Sequence, residues 1–282
     1  MNARIISGKE VAENILSNDL RVRVEKLKHK NIVPKLVVIL VGEMKASASY
    51  VAQKEKFAGK AGIESEVRRF DDTISEEEIL DEINKINRDI SIHGVIVQLP
   101  LPKHISVTKV LNSIDPSKDV DGFTPSNVGK LFLGEDTLVS CTPKGIMSIL
   151  QSADVDLTGK NVTVIGRSNI VGKPVSILCQ QQNATVTMCH SKTRDINAKL
   201  ADADVIIVAA GVPKFINGDQ IPNGAVVVDV GIHNIDGKLC GDVDFESASK
   251  KASAITPVPG GVGPMTVCAL IENTILAAER TS

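Results

Sequence analysis

Apolar runs with no polar interruption alternate with segments of helical periodicity from one end of the chain to the other. Lys35–Val41 (KLVVILV) and Gly94–Gln98 (GVIVQ) are continuous, largely β-branched runs, the pattern of strands buried on both faces. A helical stretch from about Ser47 to Ala61 and a strand around Ile63–Phe70 lie between them. A capping box, Ser75 with Glu78, opens a helix to about Arg88. Ser7 with Glu10 marks a similar start for an opening helix to about Leu27. The first third therefore reads βαβαβ, which predicts a parallel sheet with right-handed crossovers. Asp115–Thr137, rich in Asp, Gly, Pro and Ser, reads as a connection over a cleft.

A second alternation begins at Thr142-Pro143, Thr as N-cap and Pro at the first helical position. Strands are expected at Asn161–Ile165, Ala184–Cys189, Val205–Ala209, Ala225–Val230 and near Ala254–Thr256. Helices are expected from about Lys173, up to about Leu200, and from about Met265 to Glu279 after a Pro/Gly-rich loop, Pro257–Pro264. The expected fold class is α/β with two parallel-sheet domains, consistent with 282 residues at ~150 residues per domain.

Composition narrows the function classes. Lys and Arg (32) nearly balance Asp and Glu (34), so there is no basic stripe for a nucleic acid. Hydrophobic residues make up 43% and aromatics 2%, so the cores must be built from Val, Ile, Leu and Ala. Five scattered cysteines at neither disulfide-framework nor zinc spacing are expected to be small buried hydrophobes. The first twenty residues carry Arg4, Lys9, Glu10, Glu13 and Asp19, and apolar runs are far too short for a membrane span. A reduced, cytoplasmic protein with no membrane or nucleic-acid partner and no metal is the expectation.

The strand Asn161–Ile165 runs into Gly166-Arg-Ser-Asn-Ile-Val-Gly172-Lys-Pro174 and then a helix. A glycine between a parallel strand and a helix N-terminus receives phosphates, although a plain tight turn has the same pattern. Ser168 stands where G-x-G-x-x-G has its second glycine, and the glycine spacing and Pro174 exclude a P-loop. The following strand ends Cys189-His190-Ser191-Lys192-Thr193, with no Asp or Glu for a ribose 2′-hydroxyl. Read as a dinucleotide site, this one selects NADP, with Arg167 and Ser191 facing the 2′-phosphate; read blandly, it is a solvated loop. Gly231 and Ile232 end another strand at the same sheet edge.

Tyr50 and Lys54 are four residues apart and share a helix face, with Ala48, Val51, Ala52 and Ala58 on the neighbouring, sheet-packed face. At that boundary, desolvation would lower the lysine pKa toward a useful acid/base range. Gln98 ends a central strand, as a cap or as a neutral amide for a heterocycle or a reacting water. Asp121 is either an Asx-turn residue or a carboxylate for the N–H groups of a heterocycle.

These segments together resemble the bifunctional methylenetetrahydrofolate dehydrogenase/cyclohydrolase family. The matching stretches are Val41–Lys54, Gly94–Pro102, Asp119–Phe123, Cys141–Gly145, Gly166–Pro174, Cys189–Thr193 and Pro257–Thr266, in order over nearly the whole chain. Ser140 and His233 are its two small departures from the family pattern. The resemblance implies NADP-dependent oxidation of 5,10-methylenetetrahydrofolate, then hydrolysis of the methenyl product to 10-formyltetrahydrofolate. It implies Lys54 as the acid/base group, supported by Gln98, with Tyr50 stacking on the folate and Asp121 binding the pterin. Ser47, Leu99, Gly260, Gly261 and Gly263 join the folate contacts, and Gly166, Arg167, Ser168, Ser191 and Ile232 contact NADP. It further implies a folate-binding catalytic domain of residues 1–121 plus 265–282, a connection at 122–139, a Rossmann-type domain at 140–264, and a homodimer. The rivals are a two-domain NADP dehydrogenase of the shikimate type, a monofunctional relative, and a catalytically idle folate- or nucleotide-binding paralogue.

Overall fold

A computed structural model describes residues 3–42 and 45–281, the side chains of residues 45–50 excepted. Its strands in chain order are β1 (Arg4–Ile5), β2 (Lys35–Val41), β3 (Glu64–Phe70), β4 (Gly94–Val97), β5 (Asn161–Ile165), β6 (Thr185–Cys189), β7 (Val205–Val208), β8 (Val226–Asp229), β9 (His233–Ile235), β10 (Lys238–Cys240) and β11 (Ala254–Ile255). The chain divides into two compact units.

The three-stranded unit comprises Asn14–Cys141 and Val267–Ser282. Its all-parallel sheet has the order β3-β2-β4, so the chain reverses direction across β2. The apolar runs read from sequence form its centre: Val37, Ile39, Val95 and Val97 pack with Ile79, Ile83 and Ile86 of the helix Glu76–Arg88. That helix carries the expected capping box, with Ser75 and Glu78 satisfying each other's backbone N–H groups. The presumed connection is partly helical. Pro125–Leu133 is a helix with Thr124 as N-cap, Pro at its start, and Gly134 in the left-handed region at its end (φ 75°).

The six-stranded unit comprises Met1–Glu13 and Thr142–Thr266. Its sheet, also all parallel, has the order β1-β11-β8-β7-β5-β6. Strand order reverses beside β5, which opens a crevice at the carboxyl ends of β5 and β7. Residues 1–13 therefore depart from the expected 1–121 domain: β1 pairs with β11 through Arg4–Ala254 and Ile5–Ile255. A two-residue strand has no periodicity to read, and its identity comes from the edge it joins.

Two helix starts also differ from expectation. The helix Cys141–Ser152 begins one residue before Thr142, so Thr142 is not its cap, and its hydroxyl instead meets that of Thr266 at 3.0 Å. The last helix, Val262–Arg280, takes in Gly263 and Pro264. Pro143 and Pro264 both fall in a first turn, where backbone N–H groups have no intrahelical acceptor. The opening helix is continuous to Lys28 but passes through a π-helical turn, Leu16–Leu20. Four of the five cysteines are buried and all are free thiols. No described helix is long and apolar enough to cross a membrane.

Candidate active site

In the six-stranded unit, Gly166 leaves β5 with φ 135°, a conformation that requires glycine. A Cβ there would strike the Ala209 carbonyl at the end of β7, and one at Gly172 would strike the Gly166 carbonyl. The two glycines thus let β5, β7 and the start of the helix Gly172–Gln181 close on one another. Ser168 holds the turn, its hydroxyl accepting from the N–H groups of Val171 (3.1 Å) and Gly172 (3.3 Å).

A cavity of about 560 Å3 opens at these strand ends. Gly166, Arg167, Ser168 and Ser191 all line it, which brings together four of the five expected cofactor residues. Ile232 is not in its lining and is 64% exposed. His190, Thr193, Arg194, Ala210, Val212 and Phe215 complete walls that sequence reading did not assign. No Asp or Glu lines the cavity, whose charged groups are the two guanidiniums. Size, glycine cradle and cationic lining fit an anionic dinucleotide.

One flank of this edge is held by two buried carboxylates. Asp229, at the end of β8, accepts from the N–H groups of Gly231 (3.0 Å), Asp242 (2.9 Å) and Val243 (2.9 Å). The Asp242 carboxylate accepts from Gly211 N–H (2.8 Å) and meets His233 Nε2 at 2.7 Å. Burial, reinforced by the neighbouring Asp242 charge, pushes Asp229 up to about 6 against those three hydrogen bonds. The Asp229-Val-Gly-Ile segment is therefore tied, through Asp242, to the 210–212 turn on the cavity wall.

In the three-stranded unit the helix Lys45–Ala61 buries Val51, Lys54, Ala58 and Ala61. Ala52, expected to face inward, is exposed, and Lys54 takes the inward position instead at 5% exposure. Ser47 and Tyr50 belong to this helix, but their side chains lie outside the described residues. Gln98 leaves β4 with its N–H on Ile39 O (2.9 Å). Its side-chain oxygen accepts from Lys54 Nζ at 3.1 Å, and its amide N–H group donates to Leu99 O at 2.9 Å, which fixes the amide orientation. Burial pulls the Lys54 ammonium below its ordinary value, opposed by Asp121 and more weakly by Cys141. Burial also raises Asp121, opposed by Lys54. Lys54 and Asp121 thus interact electrostatically, and Lys54 hydrogen-bonds Gln98.

The two acids of Asp119-Val-Asp121 have different environments. Asp119 is buried and accepts from Thr124 N–H (2.7 Å) and Asn127 Nδ2 (3.0 Å), while Thr137 donates to Asn127 (2.7 Å). Asn273, in the last helix and fully buried, donates both amide hydrogens, to Val120 O and Val139 O, each at 2.8 Å. Gly122 (φ 69°) lets the chain turn against Ser140 N, which a Cβ would approach to 2.6 Å. Asp121 is thereby pinned on both sides. Sequence reasoning missed Asn273, although an amide inside the apolar run TVCALIENTILAA is its visible signal.

A doubly wound sheet with an acid-free phosphate cradle, and a second parallel sheet presenting a desolvated lysine, define a two-unit, dinucleotide-dependent enzyme with an acid/base centre. Known proteins narrow this class. Residues 6–121 match the catalytic domain of tetrahydrofolate dehydrogenase/cyclohydrolase, and residues 140–282 match the NAD(P)-binding domain of the same family. The bifunctional protein FolD of Bacillus licheniformis is 54% identical over 282 residues, covering 100% of this chain and 99% of that protein. The crystal structure of the bifunctional FolD dehydrogenase/cyclohydrolase of Campylobacter jejuni superposes with TM-score 0.97 at 46% identity, covering 99% of this chain and 100% of that one. The Trypanosoma brucei dehydrogenase-cyclohydrolase, solved with NADP cofactor and an inhibitor, gives TM-score 0.94 at 37% identity, covering 100% and 99%. The chain belongs to the tetrahydrofolate dehydrogenase/cyclohydrolase family.

Proposed function

We propose that Lys54, Gln98 and Asp121 carry the hydrolytic step of a bifunctional enzyme whose NADP occupies the cavity at Gly166. The chain oxidises 5,10-methylenetetrahydrofolate to the 5,10-methenyl cation and hydrolyses that cation to 10-formyltetrahydrofolate. In the first step NADP accepts a hydride from the bridging carbon. In the second, water attacks that carbon and loses one proton to Lys54, giving a neutral carbinolamine; its hydroxyl proton then passes to N5 as the C–N5 bond breaks, and the first proton is released to solvent.

The observation that carries this reading is the burial of Lys54 against a neutral amide. An ammonium beside a cationic substrate would be repelled, whereas a desolvated lysine is biased toward the free amine that accepts a proton from water. Gln98 holds Nζ in place without contributing a charge that would restore the ammonium. Asp121 accepts the N–H groups of the pterin, and Tyr50, Ser47 and Leu99 complete the folate contacts. The resemblance adds Gly260, Gly261 and Gly263 to the folate contacts. Arg167 and Ser191 take the 2′-phosphate, Gly166 and Ser168 the pyrophosphate, and Ile232 packs at the cofactor's edge.

Five free thiols and the lack of any described helix able to span a membrane support a reducing, cytoplasmic location. A homodimer is the assembly the resemblance implies.

The test is a spectrophotometric assay of the purified protein with 5,10-methylenetetrahydrofolate and NADP or NAD. NADPH formation, with the methenyl product then decaying faster than in buffer, is expected. Oxidation without accelerated decay would remove the hydrolytic assignment, and folded protein inert with both nucleotides would favour the idle-paralogue reading.

A further inference from the structure

The cavity contains one more cation than the resemblance assigns. Thr193 closes a tight turn with His190, its hydroxyl accepting from His190 N–H (2.9 Å) and its N–H donating to His190 O (2.8 Å). That turn delivers Arg194 to the cavity lining on the same loop as Ser191 and together with Arg167. The carboxylate next in sequence is already committed. Asp195 caps the helix Ile196–Leu200, accepting from Ala198 N–H at 3.0 Å, and is not part of the lining. The other nearby cations do not compete: Lys173 reaches Asn169 (2.7 Å), and Lys192 lies outside the lining. Neither Arg167 nor Arg194 makes a hydrogen bond or ion pair with any described residue.

Two guanidiniums with no hydrogen-bond or ion-pair partner among the described residues line one cavity that lacks a carboxylate, and so present their donors to whatever enters. A dianion can accept a forked pair of hydrogen bonds from each. On the reading that this cavity holds the dinucleotide, we infer that Arg194 is a second specificity-determining residue, gripping the adenosine 2′-phosphate opposite Arg167. A carboxylate lining the site would favour a free ribose hydroxyl; here two cations favour the phosphate ester. The Ser191 hydroxyl, on the same loop, supplies a neutral donor to the same group.

The experiment is calorimetric titration of the full-length protein, and of Arg194→Ala, Arg194→Lys and Arg167→Ala, with NADP, NAD and adenosine 2′,5′-bisphosphate. Arg194 is exposed and contributes no internal contact, so these variants fold. Arg194→Ala is expected to weaken NADP and the bisphosphate by roughly tenfold, the loss of about one charge-assisted hydrogen bond. NAD binding should stay unchanged, and Arg194→Lys, a point charge without the fork, should fall between. Discrimination lost in Arg167→Ala but intact in Arg194→Ala would overturn the role of Arg194 and leave the cavity reading standing. Equal losses for NADP and NAD in Arg194→Ala would also overturn it, since the residue would then shape the loop. If neither arginine affects discrimination while both nucleotides bind, the cavity reading itself fails and this inference with it.

Discussion

Gln98→Glu puts a carboxylate where a neutral amide now accepts from Lys54. It is nearly isosteric, so the 3.1 Å contact is preserved while its charge changes. Two unit charges ~4 Å apart interact by about 4 kcal/mol at an effective dielectric of ~20, the value suited to sites near a protein surface. At 1.36 kcal/mol per unit, that corresponds to a rise of about three units in the Lys54 pKa as an upper bound. Gln98 is only partly buried, and solvent screening brings the expected rise to between about one and three units. The native lysine is shifted the other way, by burial. The substitution therefore opposes the desolvation shift on which the proposed hydrolytic role of Lys54 rests.

Below the lysine pKa, the free-amine fraction falls tenfold for each unit of rise. Methenyl hydrolysis at neutral pH should then drop by about ten- to a thousandfold. Its pH–rate profile should move to the alkaline side by the same number of units, so that much of the loss is recovered at high pH. Methenyl formation, which passes no proton to Lys54, is the internal control and keeps its order of magnitude. Gln98→Met separates charge from contact: it removes the acceptor without adding an anion, so hydrolysis falls with no alkaline displacement. The assay is methenyl decay followed across pH 6 to 10 by absorbance. A Gln98→Glu profile superimposable on the wild type would refute the argument that Lys54 works as a neutral base.

Lys54→Met should leave NADPH formation intact and bring methenyl decay to the buffer rate; undiminished decay would take Lys54 out of the mechanism. Arg167→Ala should raise KM for NADP by about tenfold or more and leave that for NAD alone, and equal rises would refute a 2′-phosphate contact. Asp229 should titrate near pH 6 in a carbon-13 carboxyl experiment on the native protein. Its folded pKa is raised, so this group's contribution to stability is fully present below about 4 and is lost as pH rises through 6, a relative cost of about 3 kcal/mol; a midpoint near 4 would remove the burial argument. Asn273→Ala strands two buried carbonyls and should cost about 2–5 kcal/mol in urea unfolding, with hydrolysis falling even where the protein remains folded. Hydrolysis unchanged in folded Asn273→Ala would mean that Asp121 is positioned without it.

Strands buried on both faces were legible because nothing polar interrupts them. KLVVILV, GVIV, NVTVI, VIIV and VVVD all became parallel strands within a residue or so of the expected bounds. What escaped is what pairing rather than pattern creates: β1, and the β9-β10 hairpin at the edge. The helix Pro125–Leu133 was hidden for a different reason. Its flanks are dense in Asp, Ser, Pro and Gly, but Thr124, Pro125 and Gly134 are capping signals, not loop filler. Lys54 is the instructive residue. Placing Ala52 inward set the buried stripe one step wrong; the true stripe of Val51, Lys54, Ala58 and Ala61 steps by three, four and three. A lysine on the apolar register of a helix is itself the signal, since burying an ammonium is costly.

The same logic separates the acids of the Asp119–Phe123 segment, of which the sequence reading singled out Asp121 alone. Both are short carboxylates in a turn-rich stretch, and either suits an Asx turn. The structure gives Asp119 a backbone N–H and an amide N–H group, so its charge is consumed in holding the 119–127 segment. Asp121 is pinned through its neighbours instead, by Asn273 on the Val120 carbonyl and by the left-handed turn at Gly122. Its own carboxyl accepts a hydrogen bond from Cys141 and is in electrostatic contact with Lys54. In the six-stranded unit, Asp229 and Asp242 engage both their oxygens with backbone N–H groups and His233, while Arg167 and Arg194 have no partner among the described residues. In each unit buried carboxylates that accept several hydrogen bonds fix the backbone beside the proposed site residues.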